Sequence, residues 1–215
     1  GIYEVPEAAR YISATTTILV SPLRHIRSRN LLRWIRIGLA TPDLVAIPGR
    51  DLLITFEDLI SMRVIALLRA AGVSFKKIRA AEKTLRQITG YPRPFATEEI
   101  WTAHSHVFAE FRDYIYAASK FGQIAMDFMR EDLIPVHGLT FSQRVASSWS
   151  PYMDIRFTPG IQVGQPCIDG TRIPTRPLMG MVQAGDSIEF IADSYRIDVE
   201  KVKHAIEWEQ RLIIA

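Results

Sequence analysis

The 215 residues include a single cysteine, Cys167. One thiol can form neither an internal disulfide nor a cysteine-based zinc site, so the disulfide-scaffold class is excluded and a reducing, cytoplasmic setting is expected. Long hydrophobic runs are also missing. The longest purely aliphatic stretch is Val64-Ile65-Ala66-Leu67-Leu68, against the roughly 18 residues a bilayer span needs, so no membrane partner is expected. No charged start leads into an apolar stretch, so no signal peptide is read. The chain opens on Gly1 rather than methionine, which reads as a trimmed start. Catalytic signatures are missing too: there is no Ser-His-Asp order, no HExxH, no paired-carboxylate motif and no phosphate loop. The glycines between Gly164 and Pro174 fit no Walker or dinucleotide spacing. Asp127, Glu131 and Asp132 read as a surface acidic run. His104 and His106 would share one face of a strand, but no third ligand lies nearby to complete a metal site. The expectation is a protein that is not an enzyme, with no cofactor and no metal.

Lysine is scarce beside arginine, 6 against 20. The guanidinium is the better group for planar contacts to phosphate, guanine or carboxylate, although arginine-favouring codons would also raise the ratio. Hydrophobic residues make up 48% and charged residues 23% of the chain, which suits a globular core. The net charge of +3 hides an asymmetry. Residues 1–90 carry 14 Lys or Arg against 7 Asp or Glu, while residues 91–215 carry 12 against 16. A basic front joined to an acidic remainder points to two jobs in one chain.

Three regions are expected: 1–90, 91–150 and 151–215. In the first, Pro6 opens a short helix through Glu7-Ala8-Ala9-Arg10-Tyr11, which Ser13 to Thr17 breaks. Ser21-Pro22 reads as the start of a helix running from Leu23 to Leu39. That stretch holds Arg24, Arg27, Arg29, Arg33 and Arg36 and no acid. Leu32, Ile35 and Leu39 recur at helical spacing toward a core, and Arg29, Arg33 and Arg36 share the opposite face. Trp34 reads as core, and Gly38 as the stop. Pro48-Gly49-Arg50 is a turn into a short hairpin at Asp51 to Ile54. Thr55 then caps a helix with Glu57 and Asp58 in its first turn and Leu59, Met62, Val64, Ile65, Leu67 and Leu68 inside. Ser74 caps a helix from Phe75 to Thr89, with Phe75, Ile78, Leu85 and Ile88 buried and Gly90 closing it. Helix, basic helix, hairpin, helix, helix is the order of a winged helix-turn-helix.

The segments Glu7-Ala8-Ala9-Arg10, Leu32-Arg33-Trp34, Gly38-Leu39, Phe56-Glu57-Asp58-Leu59 and Gly72-Val73-Ser74 together resemble the DNA-binding domain of MerR-like regulators. The stretch from Ser13 to Asn30 is longer than that family's tight turn. The resemblance implies that the basic helix enters a major groove of double-stranded operator DNA.

Pro92-Arg93-Pro94 is a linker signal. The aromatic runs Val107 to Phe111 and Tyr114 to Ala117 read as a hairpin, with a further strand at Gly122 to Met126. Trp149-Ser150-Pro151 marks the next boundary. Asp169-Gly170 is a two-residue turn signal in which both positions can need positive φ. Thr175 caps a helix to Ala184, closed by Gly185. Asp186 with Glu189 makes a capping-box-like start for Ser187 to Ser194, and Asp198 caps a last helix to about Arg211. The fold class expected is α+β, mainly α, with a winged helix-turn-helix, a small β-hairpin middle and a helical, helix-turn-helix-like end.

Gly164, Pro166, Ile168, Gly170-Thr171-Arg172-Ile173-Pro174, Gly185, Ser187, Ile191-Ala192 and Tyr195 resemble the hallmark of a small bacterial domain of unknown function found in antitoxins. Joined to the MerR-like front, the chain resembles a VapB-type antitoxin. That resemblance implies a protein that autorepresses its operon and neutralises a PIN-like ribonuclease toxin. The DNA-contact candidates are Arg24, Arg27, Arg29, Asn30, Arg33, Arg36 and Arg50, with Asn30 reading an adenine and Arg50 in the wing. Arg172 and Arg176 are candidates for the toxin's acidic metal site, and Arg172 also reads as a clamp on its own turn. A homodimer is expected, since one small winged helix reads few bases; its contact is placed in the third region, whose apolar residues exceed what three short helices need. The alternative is a MerR-like regulator without a toxin, its middle region binding a small effector.

Overall fold

The computed structural model describes residues 1–15, 26–39, 52–70, 73–101 and 138–215. The expected wing turn with Arg50, the start of the basic helix with Arg24, the hairpin at 107–117, the strand at 122–126, His104, His106 and the run at 127–132 all lie outside them.

The chain opens with a strand that no sequence signal marks. β1 (Ile2–Glu4) pairs antiparallel with β2 (Leu53–Thr55), Tyr3 opposite Ile54. α1 (Val5–Thr15) follows with Pro6 in its first turn and runs through Ser13, where a break was expected. Ser13 is held in the helix by a tertiary contact: its hydroxyl donates to the Ile26 carbonyl (3.0 Å) and accepts the Ile26 N–H (2.8 Å). α2 (Ser28–Arg36) packs on α1. α3 (Phe56–Ala70) is capped by Thr55 as expected: Asp58 N–H donates to Thr55 Oγ1 (3.1 Å) and Thr55 N–H to Asp58 Oδ2 (3.0 Å). Leu59, Met62, Val64, Ile65, Leu67 and Leu68 are all buried. α4 (Phe75–Thr89) begins at the Ser74 cap, and Gly90 ends it at φ 71°, in the left-handed region that only glycine enters without cost. Ile78 and Leu85 are buried, whereas Ile88 is 44% exposed and Phe75 only half-buried.

Pro92-Arg93-Pro94 is not an open linker. Pro94–Ala96 forms one buried 3-10 turn against α3 and α4, and the Arg93 guanidinium pairs with the buried carboxylate of Asp58. The short α5 (Glu98–Trp101) follows. A second sheet is an antiparallel meander in the order β3 (Leu139–Ser142), β4 (Val145–Tyr152), β5 (Ile155–Phe157), β6 (Pro166–Ile168). The boundary expected at Trp149-Ser150-Pro151 therefore falls inside a strand, with Trp149 buried. The chain ends with α6 (Thr175–Ala184), α7 (Ile188–Tyr195) and α8 (Val199–Ile214). Of Asp169 and Gly170, only Gly170 takes positive φ (78°). Thr175 is not a cap; it is a buried helical residue whose hydroxyl meets Glu209. The α7 cap is Ser187, accepting Phe190 N–H at 3.1 Å, one residue beyond the expected Asp186. Asp198 caps α8 as expected, accepting Glu200 N–H at 2.8 Å.

The fold is α+β, mainly α, as expected. Front and back share one core. Tyr11 of α1 stands edge-on to Phe157 of β5 (4.8 Å between centroids) and beside Trp208 of α8 (6.4 Å), and Phe157 also meets Trp149 (5.2 Å). The Tyr3 hydroxyl donates to the Gly164 carbonyl (2.9 Å). Gly164 has φ 91°, and a Cβ there would lie 2.5 Å from the Tyr3 hydroxyl, so glycine is required. Among the described residues, no helix is long and apolar enough to cross a membrane.

Candidate nucleic-acid interface

The basic helix is shorter than its sequence pattern. Arg27 is extended (φ −90°, ψ 155°), and helical geometry starts at Ser28. The start is sealed by Asn30: its Oδ1 accepts the Arg27 N–H (3.0 Å) while its own N–H donates to the Arg27 carbonyl (2.8 Å). At the far end the Leu39 N–H returns to the Trp34 carbonyl (2.8 Å), with Gly38 at φ 68° making the turn. Leu31 and Trp34, one turn apart, are buried against the front core, and Leu39 follows them in. This phase puts Leu32 outside at 41% exposure, against expectation, and leaves Ile35 half-buried. The true inner pair is Leu31–Trp34, shifted by one residue from the Leu32–Ile35 reading.

The same phase sets Arg27, Arg29, Arg33 and Arg36 on the exposed side. Among the described residues none of the four is ion-paired to a carboxylate. The Arg33 guanidinium lies 5.8 Å over the Phe75 ring, and Arg69 lies 4.2 Å over it. Burial, then the neighbouring charge of Arg33, holds the Arg69 guanidinium below its ordinary pKa. Arg79 donates to the Ile37 carbonyl just past the end of α2. The cationic surface thus runs from α2 onto the start of α4. Sequence reasoning missed Arg69, Phe75 and Arg79 as part of it. The Lys76-Lys77…Arg79 spacing on α4 was the available signal, but only the fold brings that turn beside α2. Asn30 is half-buried and its Oδ1 is committed to the cap, so it cannot offer both amide groups to an adenine while the cap is closed.

The two arginines of the third region are exposed but do not converge. Arg172 lines a cavity of about 550 Å³ with Arg156, Asp169 and Cys167. Its carbonyl accepts from Gln162 Nε2 (3.0 Å), and burial pushes the Cys167 thiol up against the pull of Arg172. Arg176 lines a different cavity, about 480 Å³, between α1, α6 and α8. Among the described residues no cluster of His, Cys, Asp or Glu is arranged to hold a metal.

Residues 155–208, from β5 into α8, match a family described as a protein of unknown function, DUF433. The X-ray crystal structure of Rv2018 from Mycobacterium tuberculosis is similar over 95% of this chain and 96% of that one, with a TM-score of 0.70 at 20% identity, a likeness of fold. No curated protein matches the chain.

Proposed function

We propose that the chain is an antitoxin that binds operator DNA through α2, represses its own operon and neutralises a PIN-like ribonuclease toxin. The observation that supports the reading most is the row of exposed arginines on α2, unpaired with any carboxylate among the described residues. Cations clustered at this density favour a polyanion as partner, and duplex phosphates meet them while releasing counterions. Arg29, Arg33 and Arg36 meet backbone or guanine edges, Arg27 meets the flanking phosphates, and Leu32 is placed to touch a thymine methyl. Two copies pair so that two half-sites, about one helical turn apart, are read together. Arg172, exposed ahead of α6, is the arginine assigned to the toxin's carboxylates.

The test is fluorescence anisotropy with duplex from upstream of the chain's own gene, across a salt series. Binding is expected to weaken with a log–log slope of about −0.9 per phosphate contact, and Arg29→Ala to reduce that slope by about 1. Affinity that stays level from low to moderate salt overturns the DNA reading. Co-expression with the product of the adjacent gene checks the toxin arm: a stable complex weakened by Arg172→Ala is expected, and no complex removes that arm alone.

A further inference from the structure

The cavity between α1, α6 and α8 is distinct from the α2 surface and uses none of its residues. Its volume, about 480 Å³, lies in the range of small-molecule sites. Four charged side chains line it: Glu7, Arg10, Arg176 and Glu209. Glu7 Oε1 accepts the Tyr11 hydroxyl at 2.7 Å, and Glu7 adds a second acidic side chain to the wall. The other three form an open arrangement. Both arginines act on Glu209 electrostatically, yet neither closes to an ion pair with it, and among the described residues neither has another carboxylate partner. Glu209 Oε1 accepts the hydroxyl of the buried Thr175, which leaves Oε2 without a hydrogen-bond donor among the described residues. Burial raises the pKa of this carboxyl, and that effect exceeds the pull of Thr175, Arg176 and Arg10 combined. Glu209 is therefore a half-buried carboxylate whose lost hydration is not made good by its neighbours. Met179, Leu212 and Ile213 add an apolar wall.

We infer that this cavity binds a small zwitterion of the amino-acid type, its carboxylate held by Arg10 and Arg176, its ammonium by Glu209, and its apolar side chain by Met179, Leu212 and Ile213. The charge pattern selects the class. A lone anion would meet the guanidiniums but be opposed by Glu209. A lone cation would meet Glu209 but be opposed by two guanidiniums. A molecule carrying both signs on adjacent carbons satisfies all three groups, and a site that pairs with both charges binds analogues lacking one of them more weakly.

The test uses the unaltered chain in calorimetric titration and thermal-shift assays at neutral pH, with L-leucine and L-methionine as probes. Saturable binding at millimolar or lower concentration is expected, with a rise in melting temperature. The two single-charge analogues of leucine, 4-methylpentanoate and 3-methylbutylamine, are expected to bind at least about tenfold more weakly, and Glu209→Gln and Arg176→Gln to cost a similar factor. The inference is overturned if neither amino acid binds, if 4-methylpentanoate binds as well as leucine, or if both folded variants bind as the parent does. The analogue comparison decides the matter even where a variant fails to fold. DNA binding is read separately by anisotropy, so failure here leaves the operator reading intact, and the reverse also holds.

Discussion

Arg93 shows most plainly how context rewrites a residue. Flanked by two prolines it has the look of a linker position, yet it is buried and paired with the equally buried Asp58, which also belongs to the α3 cap. Removing one partner of a buried pair strands the other. Arg93→Met is therefore expected to cost about 3–5 kcal/mol in urea denaturation. Tyr3 and Tyr11 make a second case. Burial pushes both phenols far above their ordinary range, and Glu7 adds to the shift at each. In the unfolded chain they ionise near pH 10. Above that pH the unfolded state binds fewer protons than the folded one, so stability falls as pH rises. Denaturation midpoints should drop from about pH 9 to 11. Tyr3→Phe should lose about 1 kcal/mol at neutral pH with the hydrogen bond to Gly164, and should flatten part of the alkaline decline.

Elements were legible where local chemistry marks their ends. Thr55, Ser74 and Asp198 are caps in the sequence and in the structure, and Gly38, Gly90 and Gly185 all carry positive φ at helix ends. One error falls where two polar residues compete. Asp186 and Ser187 are both good caps, and the choice of Ser187 follows from where the chain leaves α6. Ser187→Ala should cost about 1 kcal/mol and Asp186→Ala well under half of that, read by thermal melting. The β3–β4 turn went unseen for another reason. Gln143 and Arg144 both take positive φ (50° and 69°) without the Asn or Gly that usually signals such a turn. The phase of α2 was misread by one residue because Leu31 and Leu32 are adjacent and identical, so periodicity cannot choose between them. Trp34, buried as expected, settles it for Leu31.

Across the whole molecule, the division into a basic front and an acidic back is real in charge but not in packing. Tyr11 sits against Phe157 and Trp208, β1 docks on the Gln162–Gly164 turn, and Glu98 N–H donates to the Arg144 carbonyl (2.9 Å). A shared aromatic core predicts one cooperative unfolding transition. Trp208→Ala should lower stability by about 3–5 kcal/mol, and should do so for α4 and α8 alike when followed by hydrogen exchange. Separate protection losses in front and back would show two independent units. Part of the third region's apolar surface packs on α1, while Phe190, Tyr195, Ile213 and Ile214 stay exposed.

Composition and local pattern were enough to place the helices other than α5, several of their caps, the arginine-bearing face of α2 and the α+β class. These follow from backbone hydrogen bonds and side-chain periodicity over a few residues, which neighbours in sequence dictate. The pairing of β1 with β2, the burial of Arg93, the meeting of α2 with Arg79 and the cavity around Glu209 depend on groups tens to hundreds of positions apart. Such contacts arise only once burying apolar surface has brought those groups together, and no local rule encodes which distant partner each will meet.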